Sequence, residues 1–310
     1  MVWSISESRT FKRCQRQWYF KNFVANALAK DPLRHEAYLL SKLQSVSAWR
    51  GNVVDSVISE FVLPSLRKKQ LPKLPEAIRN AKSLYDQQVA FALRHPLHDP
   101  QMSPSKAGTK FAAFYCMEYG GSVAQSELDQ AWDDIQAALT NFYEMTEVHS
   151  ELLSATYVIA QRALSFSHSG SSVRAVPDAI AFFRQGPPLI LDWKVHSFGL
   201  QEAWTQLATY AIALTRCTPH KDFPSNFSQL NPHDVRLAEV QLLKKQVRRY
   251  ELSEDDIDRA DAYIAESVTL MEWATEGKTG KELQPTDLPP AVSPDVCQRC
   301  SFRKLCWSAE

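Results

Sequence analysis

The stretch Leu189-Ile190-Leu191-Asp192-Trp193-Lys194-Val195 sets an acid and a base two residues apart inside an otherwise apolar run. Strand side chains alternate faces, so Asp192 and Lys194 share one face while Leu191, Trp193 and Val195 share the other. Neighbours on one face stand roughly 7 Å apart, close enough for both to act on one metal-bound water. Upstream, Val176-Pro177-Asp178-Ala179-Ile180 brings a second carboxylate to the start of another strand, where proline is tolerated because no ladder N–H is needed. Two carboxylates on adjoining strands can share a divalent cation. Mg²⁺ or Mn²⁺ suits such hard oxygen ligands, and either can polarise a phosphodiester and lower the pKa of a bound water. Lys194 would orient that water or offset developing negative charge. Taken singly, Asp178 reads as a turn residue, and Asp192 with Lys194 as a solvated strand pair; their combination, followed by a helix, points to a site.

Around this stretch, alternating patterns predict strands over Ala155–Ser167, Ser172–Arg184 and Pro188–Val195, with Ser169-Gly170-Ser171 as a turn, arranged as a meander of adjacent strands. Gly199 to Thr215 is predicted helical, and a Pro-, Asn- and Ser-rich loop follows over 218–233. Val235–Leu243 and Gln246–Leu252 form a hairpin across Lys244-Lys245. Ser253 with Asp256 has capping-box spacing and opens a helix to about Thr275, before a Pro-rich tail.

At the other end, Ser4 with Glu7 repeats that spacing and predicts one helix from Ile5 to Val24, with Phe11, Trp18 and Tyr19 on its apolar face. A second helix opens near Ser47 and carries Trp49, Val53, Val54, Val57, Ile58 and Phe61 until Pro64. The stretch 63–150 reads as helices punctuated by prolines at 64, 72, 75, 96, 100 and 104, an inserted helical lobe. The predicted organisation is N-terminal core helices over 1–62, the insertion over 63–150, an α/β core with a mixed central sheet over 151–275, and a cysteine segment over 276–310.

Composition narrows the class without naming a function. The 310 residues are 45% hydrophobic and carry formal net charge +0, so any attraction to a polyanion must come from local clusters. The opening MVWSISESRTFKRC has no apolar h-region, and no run approaches the roughly 18 to 20 apolar residues that span a bilayer, so a cytoplasmic location and no membrane partner are expected. Six cysteines in such a chain point to metal binding or burial rather than disulfides. Cys297-x-x-Cys300-x5-Cys306 has metal-ligand spacing, which thiolates can offer to zinc or to an iron–sulfur cluster alike; Cys116 and Cys217 lack it and read as small buried residues.

Pro177-Asp178, Asp192-Trp193-Lys194 and Gln206-x-x-x-Tyr210 together resemble the RecB-like branch of the PD-(D/E)XK nucleases. The likeness covers about 1–60 and 150–310 and is weakest across 63–150. It implies a restriction-endonuclease-like core and hydrolysis of DNA phosphodiesters, by an exonuclease or a single-strand- or end-dependent enzyme, in repair, recombination or defence. Gln206 and Tyr210, an i, i+4 pair on one helix face, would lie beside the active site. The branch carries a glycine and, four residues on, a histidine metal ligand; here Gly51 is followed by Asp55, a harder ligand that adds negative charge. Asp55, Asp178 and Asp192 would then hold the cation.

The cysteines are similar to those of iron–sulfur members, including the AddB subunit and CRISPR-associated exonucleases, which implies a [4Fe–4S] cluster on Cys14, Cys297, Cys300 and Cys306, with structural zinc as the alternative. Gln15 stands where those members often have proline. Relatives act beside helicases, so a helicase or other subunit in trans is an expected partner besides DNA. A catalytically weak or inactive iron–sulfur scaffold subunit, and an RNA-directed nuclease, are the competing readings. Arg9, Lys12, Arg13, Arg16 and Lys21, merged with Arg299, Arg303 and Lys304, would give a basic surface, with Trp18, Tyr19, Phe20 and Trp307 available to stack on bases. Lys244, Lys245, Arg248 and Arg249 read as a solvated hairpin tip.

Overall fold

The computed structural model describes residues 2–99, 102–195, 200–224, 227 and 230–307, with only the backbone of 200–202. The chain forms two compact units, Met1–Val2 with Ser47–Asp86 and Gln125–Ile264, and Trp3–Val46 with Gln87–Ala124 and Ala265–Glu310. Its strands are β1 (Val2–Trp3), β2 (Tyr157–Ala160), β3 (Leu164–His168), β4 (Ser171–Ala175), β5 (Ala179–Phe182), β6 (Leu189–Lys194), β7 (Arg236–Gln241) and β8 (Gln246–Tyr250).

The first unit is built on a five-stranded mixed sheet of order β2-β5-β6-β7-β8. β5 runs antiparallel to both β2 and β6, while β6 and β7 are parallel. A parallel pair cannot be joined by a tight turn, and the helix Leu200–Arg216 lies in the crossover; Gly199, the expected start of that helix, lies outside the described residues. The strands do not form the expected meander. β3 and β4 pair with each other in a hairpin outside this sheet, and β2, not β4, lies beside β5. The break falls at Gln161, whose φ of 47° is left-handed and ends β2 where the alternation alone suggests one continuous strand. The predicted hairpin of β7 and β8 is present, and its turn is closed by Lys245 at φ 50°.

Leu189 to Trp193 are all buried, as expected for a strand covered on both faces. On the Trp193 side lies the helix Gln125–Glu144, which buries Leu128, Ala131, Ile135, Ala138, Leu139 and Phe142 at helical spacing. Phe142 meets Trp193 edge-on with ring centroids 5.7 Å apart, and Asn141 Nδ2 donates to the Leu242 carbonyl over 2.8 Å. The helix Val46–Val57 buries Trp49, Val53, Val54 and Val57 and passes into a π-helical turn, Ile58–Val62. Pro64 does not end the run as expected; it follows the π-helical turn directly, in the first turn of the helix Leu63–Arg67.

The stretch 63–150 is predominantly helical, through Leu63–Arg67, Leu74–Arg94, Pro104–Ala107, Tyr115–Gly120, Gln125–Glu144 and Thr146–Ser154. Residues 87–124 of it belong to the second unit. In that unit the predicted helix Ile5–Val24 is interrupted. Cys14, at φ −164° and ψ 108°, is extended between the helices Ile5–Arg13 and Gln15–Tyr19, and a π-helical turn Phe20–Val24 follows. Tyr19, Phe20, Val24, Leu40, Leu283, Leu288 and Phe302 pack together, with Phe20 stacked on Phe302 at 5.7 Å. Among the described residues no helix is long and apolar enough to cross a membrane.

Leu191 is 1% exposed on the face opposite Asp192. Leu191→Ala is expected to cost about 2–5 kcal/mol of stability, as buried leucine truncations do. Urea denaturation of the two proteins measures it; a loss below about 1 kcal/mol would mean that this strand is not packed as described.

Candidate active site and thiol cavity

Antiparallel register sets the carboxylates side by side. Ala179 faces Leu191, so Asp178, one residue before β5, falls beside Asp192. The Trp193 backbone N–H donates to Asp178 Oδ2 over 2.7 Å, which fixes the side chain against β6. Lys194 Nζ lies 2.5 Å from Asp192 Oδ2, as the shared face requires. From the helix Leu200–Arg216, Gln206 Nε2 donates to Asp192 Oδ1 over 2.9 Å and to the Tyr210 hydroxyl over 2.6 Å. Asp192, Gln206 and Tyr210 are 2%, 9% and 5% exposed, so these three side chains form an interior polar group.

Asp55 joins them from the helix Val46–Val57. Ser59 Oγ donates to its Oδ1 over 3.1 Å, and Gln161 Nε2 donates to its Oδ2. Its carboxyl is pushed above the usual range, by burial first, with the charges of Asp192 and Glu60 adding to the rise and the hydrogen bonds from Ser59 and Gln161 opposing it. Asp178 is raised well above that range by burial first, then by Asp192 and Asp55; the Trp193 N–H and Lys194 oppose the rise. Three carboxylates, with Asp192 buried, Asp55 and Asp178 half-buried and the last two raised in proton affinity, suit a hard divalent cation, which would relieve both the desolvation and the repulsion.

Gln161 and Ser59 are absent from the sequence reading of this site. Gln161 also donates its backbone N–H to the Asp178 carbonyl over 3.0 Å, and so links two of the carboxylate-bearing segments. A further row on the same sheet face was equally hidden. Glu239, 2% exposed, is in register with Asp192 and accepts from Gln241 Nε2 over 3.1 Å and from the Tyr250 hydroxyl over 3.0 Å, with Arg248 NH1 at 3.6 Å. Arg248 therefore departs from the solvated-tip expectation, whereas Lys245 and Arg249 pair with Glu144 and Glu151 on the outside. Strand alternation was the available signal, since it puts Arg248 and Arg249 on opposite faces.

In the second unit, Cys14, Cys297, Cys300 and Cys306 line one cavity together with Phe20, Phe302 and Trp307. The Cys300 thiol is pushed up to about 12, chiefly by burial and further by the other three cysteines, and the Phe302 backbone N–H works against the rise. Cys14 sits at the helix break noted above, and its Sγ accepts the Gln17 N–H over 3.3 Å. Cys217 is buried as expected; Cys116 is only half-buried.

Of the residues expected to form a basic, stacking surface, Lys12, Arg13, Lys21, Arg299 and Trp307 are exposed, but others are not. Trp18, Tyr19 and Phe20 are core side chains at 1%, 6% and 2% exposure, and Arg16 is buried with them at 7%. Lys21 pairs with Glu7 at 2.6 Å. Arg303 covers the Tyr119 ring at 4.0 Å, leaving Trp307 exposed. Glu36, His98 and Glu118 also bring ligand atoms within 4.8 Å of one another. There the Lys304 ammonium already lies 2.6 Å from Glu36 and 2.5 Å from Glu118, so the acidic charge has an internal counter-ion.

The family model for the PD-(D/E)XK nuclease superfamily matches residues 2–307. The chain belongs to the PD-(D/E)XK nuclease superfamily. The mixed α/β architecture is consistent with the restriction-endonuclease-like fold of that superfamily, and membership makes the protein a nuclease by family. No curated protein matches the chain. Among solved structures, one described as "Crystal structure of SSO0001" is similar at 14% identity, with 63% of this chain and 80% of that chain covered and a TM-score of 0.27.

Burial of mutually repelling carboxylates fixes the sign of a pH effect in metal-free protein. A raised carboxyl pKa favours the folded state at low pH, where the group is protonated in both states, and that advantage is lost as pH rises through the usual carboxylate range toward the raised value. Asp178→Asn, which keeps an acceptor for the Trp193 N–H, is therefore expected to melt higher than wild type at neutral pH in EDTA. The gap should close on acidification, and Mg²⁺ should raise wild type more than the variant. Melting curves against pH, with and without the cation, check this; a variant no more stable than wild type at neutral pH would contradict the repulsion.

Proposed function

We propose that this chain is a metal-dependent deoxyribonuclease of the RecB-like branch. The observation that carries the reading is the interior group in which Asp178 and Asp192 stand in register, with Asp55 within charge range and Lys194 on Asp192. Asp55, Asp178 and Asp192 would hold Mg²⁺ or Mn²⁺, which supplies Lewis acidity and a water of lowered pKa when bound. Lys194 is placed to orient that water and to offset charge on the scissile phosphate. Gln206, braced by Tyr210, holds Asp192 Oδ1 and leaves the other carboxylate oxygen to Lys194 and the ion.

Asp55 supports the same chemistry with one more negative charge than an imidazole would bring, which favours hard cations over zinc or copper. DNA is the substrate that the family implies. Action on ends or single strands, in repair, recombination or defence beside a helicase in trans, follows from the RecB-like resemblance.

We also read the cysteine cavity as the seat of a [4Fe–4S] cluster. The support is that Cys14, Cys297, Cys300 and Cys306 line one cavity and resemble the cysteines of iron–sulfur members; structural zinc is the alternative. The cluster's role would be to tie the segment around Cys14 to the segment 297–306.

The test is cleavage of 5′- and 3′-labelled single- and double-stranded DNA, and of RNA of the same sequence, by anaerobically purified protein with Mg²⁺ or Mn²⁺. DNA cutting that requires the ion and falls by roughly 100-fold or more in Lys194→Ala is the expected outcome. Cutting of RNA alone would redirect the substrate assignment, and no cutting with either ion would favour a scaffold role.

A further inference from the structure

Arg16 was grouped with surface bases by its neighbours in sequence, yet it is 7% exposed and lies at the cysteine cavity. Its backbone N–H reaches the Pro289 carbonyl at 3.3 Å, and its Nε donates to the Leu288 carbonyl over 3.2 Å. Those contacts aim the outer guanidinium at Cys306, with NH1 3.6 Å from Sγ, within hydrogen-bond reach of so large an acceptor. One turn of chain thus supplies a thiol, Cys14, a backbone donor to it from Gln17, and a cation for a second cysteine more than 280 residues away.

A guanidinium stays charged in any environment, and a buried charge is tolerated where hydrogen bonds and opposite charge offset its lost hydration. Beside its other contacts, a neutral Cys306 thiol offers the guanidinium only a weak acceptor. A metal-bound thiolate offers negative charge, and four thiolates bring more of it than one zinc ion or one oxidised cubane core cancels. Groups just outside a coordination sphere that donate to its ligands stabilise the loaded centre and tune its potential.

We infer that Arg16 is a positioning and charge-compensating residue for a thiolate-bound metal centre: its guanidinium holds Cys306 Sγ and favours the loaded state over the empty one. The inference rests on the reading that Cys14, Cys297, Cys300 and Cys306 bind metal. It does not depend on cleavage activity.

Wild type, Arg16→Met and Arg16→Lys would each be reconstituted anaerobically with ferrous iron and sulfide, and in parallel loaded with Zn²⁺. The readouts are metal retention against a chelator, the midpoint potential of the iron-loaded forms, and melting with and without metal. Arg16→Met is expected to hold metal roughly 10-fold less well or worse, with Arg16→Lys between. Its midpoint should move to more negative potential, because a positive charge beside the reduced centre is gone. Arg16→Lys keeps the test open should Arg16→Met fail to fold.

Equal retention and equal potential in all three proteins overturns the inference and leaves the metal centre standing. Equal losses of melting temperature in metal-free and loaded forms, with potential unmoved, overturns it too, since that is the signature of a brace. Wild type that retains neither iron and sulfide nor zinc removes the metal centre itself, and the inference with it.

Discussion

Carboxylates share an interior only by keeping a proton or gaining a cation, and this constraint organises the first unit. Asp178 and Asp192 are brought together by the β5–β6 register, and Asp55 is added from a helix more than 120 residues earlier. One lysine partly neutralises the group. Among the described residues, the Trp193 N–H, Gln206, Ser59 and Gln161 add neutral donors. Such donors orient oxygens without cancelling their charge, so the site keeps its appetite for an ion. Stability has been given up locally, and it is recovered from the apolar layer beneath, where Leu191, Trp193 and Phe142 interlock.

Much of this was legible in the residues. Two-residue alternation in Leu189–Val195 already separates the polar face from the packed one, and the i, i+4 spacing of Gln206 and Tyr210 already places them together. Topology was less accessible. The apolar–polar pattern of Ala155–Ser167 runs straight through Gln161, because alternation reports which face a residue takes and not whether its backbone turns. The chain leaves the main sheet at Gln161, where φ is left-handed, and continues into β3 and β4. Glu239 was hidden for a related reason: a single acid in a strand carries no signal until its partners on the neighbouring strand are known.

The cysteine cavity shows how local chemistry overrides helix propensity. Ile5–Val24 has an unbroken helical pattern in sequence, and nothing in it forbids Cys14 a helical backbone. The break turns the Sγ toward Gln17 and lets the following turn carry Arg16 inward. Charge composition misled here because a run of bases does not say which member is buried. Lys21 pairs outside, while Arg16, five residues earlier, faces sulfur.

The order of these segments along the chain has a temporal consequence. Asp55, Asp178, Asp192 and the parallel partner β7 have all been synthesised once residue 241 is made, whereas the thiol set is incomplete until Cys306. At ordinary elongation rates the interval is on the order of seconds. On the functional reading proposed above, the carboxylate set is therefore complete in the growing chain before the thiol set, and the two metal centres would be filled in two stages set by gene order.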